Sequence, residues 1–314
     1  MVLAVSRPAG GAARQTESEP PDLVSQEIAD LWNPRALRVG IVNIMPRAET
    51  YEANILRPLA RATLPVSPVW IRLCSHEYAS SDADHIRRRY VRFDEAIRDQ
   101  ELDGVIVTGA PVEELDFQAV HYWTELSEIL LFCRTHVTSV LGLCWGGLAL
   151  AKLMGLEKQV FDTKLFGVFQ NRNLAPQHPI LGGADELFWC AHSRHSGVRD
   201  ADLEAAANAG TVTLLAHGTE TGYSMFESSD GRYLVHLGHP EYEASRLGEE
   251  LARDRTLGRP GVGPPINIDL NRPASVWQSH CNDLFLQWLR DIALRRGRPV
   301  RGSSEGRSWL SSRA

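Results

Sequence analysis

The sequence predicts an α/β fold: a single domain with insertions, on a doubly wound, mostly parallel sheet with helices on both faces. Three observations carry this. Short apolar, β-branched runs alternate with segments of helical period along most of the chain. Such alternation builds βαβ units, whose strands are covered on both faces. The chain is also long enough, at 314 residues and 43% hydrophobic, to bury a substantial core.

In order, LRVGIVNIM (37–45) reads as a buried strand and ETYEANILRPLARA (49–62) as a helix. VSPVWIRL (66–73) and LDGVIVTG (102–109) are strands, and VHYWTELSEILLFCRTH (120–136) is an amphipathic helix. VTSVLGLC (137–144) is the next strand, followed by the helix GLALAKLM (147–154). Residues 155–215 alternate less clearly and read as inserted short strands. RYLVHLGH (232–239) is a strand, EASRLGEELARDRTL (243–257) a helix, and 256–273 a loop rich in Gly and Pro. SVWQSHCNDLFLQWLRDIAL (275–294) closes the domain as a helix, with Trp277 and Trp288 as core residues. Residues 1–35 read as a mobile arm, 36–294 as the functional domain, and 295–314 as a disordered basic tail.

The net charge of −6 argues against a nucleic-acid partner. No apolar stretch reaches the roughly 20 residues of a membrane span, and MVLAV at the start is too short for a signal-peptide core. The cysteines, Cys74, Cys133, Cys144, Cys190 and Cys281, are odd in number and irregular in spacing. They fit reduced thiols in the cytoplasm rather than a disulfide framework.

Parallel sheets of this kind hold ligands at the carboxyl ends of their strands. Here that rule singles out Gly109–Glu113, Cys144 and His239–Glu241. Gly142-Leu143-Cys144-Trp145-Gly146 is a G-x-C-x-G elbow between a strand and a helix. Its glycines permit a turn that a Cβ would obstruct. The following helix offers unpaired N–H groups and a positive dipole end, which favour a thiolate and can hold an oxyanion. Gly238-His239-Pro240-Glu241 supplies the other two parts of a nucleophilic site: a base, and an acid two residues on to orient it. Cys133 and Cys281 lie in amphipathic helices and read as structural. CAHSRH brings Cys190, His192 and His195 together without a second ligand pair, so no metal is expected. HIRRRYVR (85–92) reads as a solvated helix face.

With these motifs, the chain resembles the class I glutamine amidotransferase fold, a flavodoxin-like arrangement. Within it, the chain resembles more closely the homoserine O-acyltransferases (the homoserine O-succinyltransferase/O-acetyltransferase family). The matching stretches are NIMPRAET (43–50), DGVIVTGAPVEELDF (103–117), HVTSVLGLCWG (136–146), TKLFGVF (163–169), AHSRHS (191–196), GHPEYEA (238–244) and WQSHCNDLFLQWL (277–289). They follow the family's order along most of the chain.

The resemblance implies ping-pong acyl transfer in methionine biosynthesis, with acyl-CoA as co-substrate and no permanently bound cofactor. Cys144 would take the acyl group and pass it to the hydroxyl of L-homoserine, with His239 as base and Glu241 as its orienting acid. The resemblance places Lys164, Ser193 and Arg253 at substrate-binding positions. It places the oxyanion hole at Trp145 and the Gly109-Ala110-Pro111 loop, and it implies a homodimer. In the family, the position of Glu113 is tied to acyl choice: glycine goes with succinyl, glutamate with acetyl. A fixed carboxylate repels the distal carboxylate of succinate and fills its space. Glu113 therefore points to acetyl-CoA, with succinyl-CoA as the alternative. The chain departs from the family pattern over residues 1–35, near Leu148, by one residue before Gly155, and at Gln278. These departures bear on the acceptor, for which L-serine or a related hydroxy amino acid is the alternative. A glutamine amidotransferase-like hydrolase is the more distant one.

Overall fold

The computed structural model describes residues 36–259 and 261–296, with the backbone of two short strands at 3–5 and 23–25. The chain runs β1 (Leu3–Val5), β2 (Leu23–Ser25), β3 (Leu37–Val42), α1 (Ala48–Arg61), β4 (Val66–Ile71), α2 (Ala83–Arg89), α3 (Phe93–Arg98), β5 (Gly104–Val107), α4 (Trp123–His136), β6 (Ser139–Leu143) and α5 (Trp145–Leu153). It continues through β7 (Lys158–Asn173), β8 (Leu187–Val198), α6 (Asp200–Asn208), β9 (Val212–Gly218), β10 (Gly222–Ser228), β11 (Tyr233–His236), α7 (Arg246–Thr256) and α8 (Gln278–Arg295). The two short strands stand within the stretch expected to be a mobile arm. The rest of that arm, and the basic tail from residue 297, lie outside the described residues.

One sheet carries the strands in the order β2-β1-β4-β3-β5-β6-β11-β10-β9-β7-β8. Its central part, β4-β3-β5-β6-β11, is parallel throughout. In chain order it reads two-one-three-four-five, the flavodoxin-like order. From β11 to β8 the pairing is antiparallel.

The strands are apolar throughout because they face two cores. Ile106 points into one and Val105 and Val107 into the other; Leu141 and Leu143 oppose Val140 in the same way. Helices α1 and α8 cover the first face through Tyr51, Ile55, Leu59, Phe285, Trp288 and Ile292. Helices α4 and α5 cover the second through Leu126, Ile129, Cys133, Leu148 and Leu150. Trp277 and Trp288 are core residues, as expected. All five cysteines are free, and Cys133 and Cys281 are buried. Among the described residues, no helix is long and apolar enough to cross a membrane.

Two expectations are corrected. Residues 155–215 hold a long antiparallel hairpin, 16 residues of β7 on 12 of β8, followed by α6 and the start of β9, rather than a series of short strands. The first half of β7 is largely exposed, so it carries no apolar alternation for a sequence pattern to register. The loop 256–273 has no regular element but is laid against β7: Ile266 bridges Gly167, donating to Phe166 O and accepting from Val168 N, each at 3.0 Å. Gly167 sits at φ 146°, and a Cβ there would lie 2.4 Å from Ile266 O. Also, the basic run 85–92 is not simply solvated. His85 and Arg89 both pair with the buried Glu52 of α1, at 2.6 and 2.8 Å.

The elbow depends on close backbone approach. A Cβ on Gly142 would lie 2.6 Å from Gly146 O, and one on Gly146 would lie 2.4 Å from Val107 O and 2.8 Å from Thr108 O. Those are backbone atoms of the neighbouring strand and its exit, which cannot swing aside. Gly146→Ala is therefore expected to cost about 3 kcal/mol or more, read as a lowered urea midpoint. An unchanged midpoint would show that β5 and α5 are not held together as described.

Candidate active site

Cys144 sits between β6 and α5 at φ 50°, ψ −114°, a conformation that costs a non-glycine residue about 1–3 kcal/mol. It is locked there by its N–H, which donates to His236 O at 2.8 Å, and by its C=O, which accepts from Leu148 N at 3.1 Å. The strain turns the sulfur out of the strand line at the start of α5. In the parallel β6–β11 pairing, Leu143 faces His236. The chain leaving β11 therefore reaches His239 beside the sulfur. His239 is pinned from below, its N–H donating to Ala191 O of β8 at 2.7 Å.

His239 Nδ1 bonds Glu241 Oε1 at 2.7 Å, and its ring stacks on Tyr242 at a centroid distance of 3.9 Å. Cys144, His239 and Glu241 are each no more than 3% exposed. Burial alone would push the His239 imidazolium down. The charges of Cys144 and Glu241, and their hydrogen bonds to the ring, outweigh it and hold its pKa well above the ordinary histidine value. The set thus favours a protonated imidazole beside the sulfur.

Gly109 approaches this pair from the end of β5: a Cβ there would stand 3.2 Å from His239 Cε1 and 3.5 Å from the Cys144 Cβ. Gly109, Ala110 and Pro111 line the pocket above Cys144. Pro111 has no N–H to give, so the loop's donors are the amides of Gly109 and Ala110. Trp145 is the first residue of α5, where helix amides have no partner within the helix. Its own ring is buried against Phe117 and Tyr122.

The opposite wall comes from the hairpin and α7. Glu113, Lys164, Ser193 and Arg253, all singled out in the sequence, line the same pocket as Cys144 and His239. Lys164 occupies the irregular stretch where the register of β7 on β8 shifts, between Val160 and Leu165. Its Nζ donates to Asp254 Oδ2 at 2.7 Å and stands 4.1 Å from the Phe166 ring centre.

Glu250 of α7, which the sequence reading missed, ties this wall together. It accepts from Ser193 Oγ and, at 2.8 Å, from the Tyr242 hydroxyl. Lys164 and Arg253 each lie 3.7 Å from it. Burial would raise its pKa, but Lys164 and then Arg253 hold it below the usual carboxylate range. The one available signal was helical spacing, since Glu250, Arg253 and Asp254 share a face of α7. Two donors of Arg253, Nε and Nη2, meet Asp254 Oδ1 at 2.9 and 2.8 Å.

Glu113 is 7% exposed, and burial raises its pKa. Its carbonyl is held by Lys158 Nζ at 2.6 Å and Ser196 Oγ at 2.7 Å, which fixes the loop against the hairpin.

The Cys190, His192 and His195 run does not form one cluster. His195 lines the pocket. Cys190 instead meets His236 and His280, whose ligand atoms lie within 4.8 Å of one another. His236 Nδ1 accepts the Gly238 N–H at 3.0 Å, which places the proton of the neutral ring on Nε2, facing His280 Nε2 at 3.0 Å. Metal ligation through His236 Nε2 would require a free lone pair on that atom. The arrangement is that of a buried hydrogen-bonded pair.

The family model described as Homoserine O-succinyltransferase matches residues 11–295. A homoserine O-acetyltransferase of Bacteroides fragilis is 38% identical over 260 residues, covering 81% of this chain and 84% of that protein. A homoserine O-acetyltransferase of Geobacillus kaustophilus is 37% identical over 272 residues, covering 85% and 89%. Among solved structures, a glutamine amidotransferase from Thermotoga maritima shares the fold at a TM-score of 0.51 and 14% identity, covering 83% of this chain and 98% of that one. One from Methylobacillus flagellatus does so at 0.50 and 13%, covering 82% and 95%. The chain belongs to the homoserine O-succinyltransferase family.

Proposed function

We propose that this protein is a homoserine O-acetyltransferase, working by ping-pong transfer through an acyl-enzyme on Cys144. One observation carries the reading. A strained, buried Cys–His–Glu set opens onto a pocket whose far wall offers both a cation–carboxylate network and a buried glutamate at the acyl end. The first suits the charged ends of an amino acid, and the second suits a short, neutral acyl group.

In the first half-reaction, the Cys144 sulfur attacks the thioester carbonyl. The oxyanion sits among the amides of Trp145, Gly109 and Ala110. Collapse breaks the carbon–sulfur bond to CoA, and the His239 imidazolium gives its proton to the leaving thiolate. With the sulfur acylated, neutral His239 takes the proton of the acceptor hydroxyl, and that oxygen attacks the acyl-enzyme. Collapse releases the O-acyl product and restores the thiolate–imidazolium pair. Glu241 orients the ring and steadies the imidazolium in both halves. Arg253 Nη1 and Lys164 would hold the acceptor's carboxylate, and Glu250 its ammonium. In this reading the pocket lined by Cys144, His239, Lys164 and Glu250 takes the acyl group and the amino acid, and the nucleotide of CoA lies outside it. A close fit also keeps water from the acyl-enzyme.

Glu113 decides for acetyl over succinyl in this proposal. The same reading places the acyltransferase domain at 36–294, in a cytoplasmic homodimer with no nucleic-acid or membrane partner.

The test crosses acetyl-CoA and succinyl-CoA with homoserine and serine and follows CoA release. Acetyl-CoA with homoserine is expected to exceed each other pair in kcat/KM by about tenfold or more. Turnover confined to serine would overturn the acceptor. Ammonia released from glutamine alone would overturn acyl transfer.

A further inference from the structure

The acid of the site receives two donors, and both converge on one oxygen. Glu241 Oε1 accepts from His239 Nδ1 at 2.7 Å and from the Tyr51 hydroxyl at 2.5 Å. Glu241 Oε2 is buried and has no partner among the described residues. Tyr51, His239 and Glu241 are each 2% exposed. A carboxylate so enclosed is costly to keep ionised unless hydrogen bonds replace its water. Here a single phenol supplies every such bond that His239 does not.

Tyr51 reaches the site from far along the chain, 190 residues before Glu241. It is well placed to act as a fixed donor. The first turn of α1 is anchored from outside the helix, with Arg47 N and Ala48 N donating to Ser80 Oγ and Ser81 Oγ at 3.1 and 2.9 Å. The Tyr51 ring is part of the core against which α1 packs. Burial, and then the charge of Glu241, raises the phenol pKa well above its ordinary value, so the hydroxyl keeps its proton at any working pH.

We propose that Tyr51 is a positioning residue of this site: its hydroxyl fixes the Glu241 carboxylate and tempers the hold of that carboxylate on the His239 proton. The inference rests on the reading of Cys144, His239 and Glu241 as the reacting set. That reading asks two things of His239. It must carry a proton while CoA leaves, and it must be neutral when the acceptor hydroxyl arrives. Once the sulfur is acylated, the thiolate no longer holds the imidazolium, and Glu241 is left as its nearest anion. Each donor that Glu241 receives from elsewhere weakens its demand on His239. Without the Tyr51 hydroxyl the carboxylate would lean on His239 alone. The imidazolium would keep its proton to higher pH, and less neutral base would face the acceptor.

Other groups act on His239 as well. On the pocket side these are Cys144, Glu113, Glu250 and the stacked Tyr242. Behind it are His192 and His236, with Arg246 acting on Tyr51. Tyr51→Phe alters none of them, so a shift on its introduction belongs to the hydroxyl.

The experiment measures both half-reactions against pH for Tyr51→Phe, Glu241→Gln and the double variant. In Tyr51→Phe, the acidic limb of the acceptor half-reaction should move up by about half to one pH unit. The acceptor kcat/KM should fall roughly tenfold, while acylation by acetyl-CoA changes little. On the Glu241→Gln background, Tyr51→Phe should cost nothing further, because its partner charge is gone. Replacing Tyr51 with a ring-fluorinated tyrosine, a more acidic phenol and stronger donor, should move the limb down. It also keeps the test alive should the phenylalanine variant fold poorly. An unmoved limb, or a loss that adds in full to that of Glu241→Gln, overturns the role of Tyr51. Full activity in Glu241→Gln alone would instead overturn the reading of the reacting set.

Discussion

Cys144→Ala is expected to lower CoA release by a factor of about 10³ or more. Incubation with acetyl-CoA alone should leave an acetyl group on Cys144 of the unaltered protein and none on the variant. The expectation follows from the energetics of the elbow. The chain holds residue 144 at φ 50°, and Gly142 and Gly146 beside it have no room for a Cβ. A fold accepts such strain where a side chain must be presented. Alanine removes the sulfur and keeps the backbone demand, so the unfolding midpoint should stay within about 1 kcal/mol of the original. The oxyanion amides of Trp145, Gly109 and Ala110 would remain, so a small residual rate is compatible with the mechanism. Turnover near the original rate would overturn an acyl-enzyme on this cysteine.

Glu113→Gly is expected to raise kcat/KM for succinyl-CoA relative to acetyl-CoA by about 10² or more. Like charges brought together in a buried pocket cost several kcal/mol, and the substitution removes one of them together with its volume. The loop itself should stay in place, because Lys158 and Ser196 grip the carbonyl of residue 113 rather than its side chain. pH provides an internal check. Burial raises the pKa of Glu113, so its carboxyl stays protonated to a higher pH than an exposed one. Discrimination against succinyl-CoA should therefore weaken as the pH falls through that raised value, and the glycine variant should lose this dependence. An unchanged ratio of the two substrates would remove Glu113 from acyl choice.

The parts of the site legible in the sequence are those that local backbone chemistry specifies. A cysteine between glycines, at the junction of a strand and a helix, leaves a pattern in five consecutive residues. His239 and Glu241 lie two apart, so their contact is nearly local. The parallel sheet was legible because burial on both faces makes its strands apolar throughout. The hairpin of β7 and β8 was not, because the first half of β7 is exposed or half-buried and carries no apolar alternation.

Glu250 and Tyr51 show the same boundary from the other side. In sequence, Glu250 is one acid among several on an amphipathic helix, and Tyr51 is one aromatic on a buried helical face. Nothing local distinguishes them from a solvated charge and a core residue. They acquire roles only where α7 brings Glu250 to Ser193 and Lys164, and where α1 brings Tyr51 to Glu241. The sequence by itself determined the parallel part of the sheet and the elbow that presents Cys144 near His239 and Glu241, because periodic burial and tight-turn sterics act over a few residues. Only the tertiary structure decided what surrounds them. Which charges are stripped of water, and which donors then replace that water, depends on elements far apart in the chain.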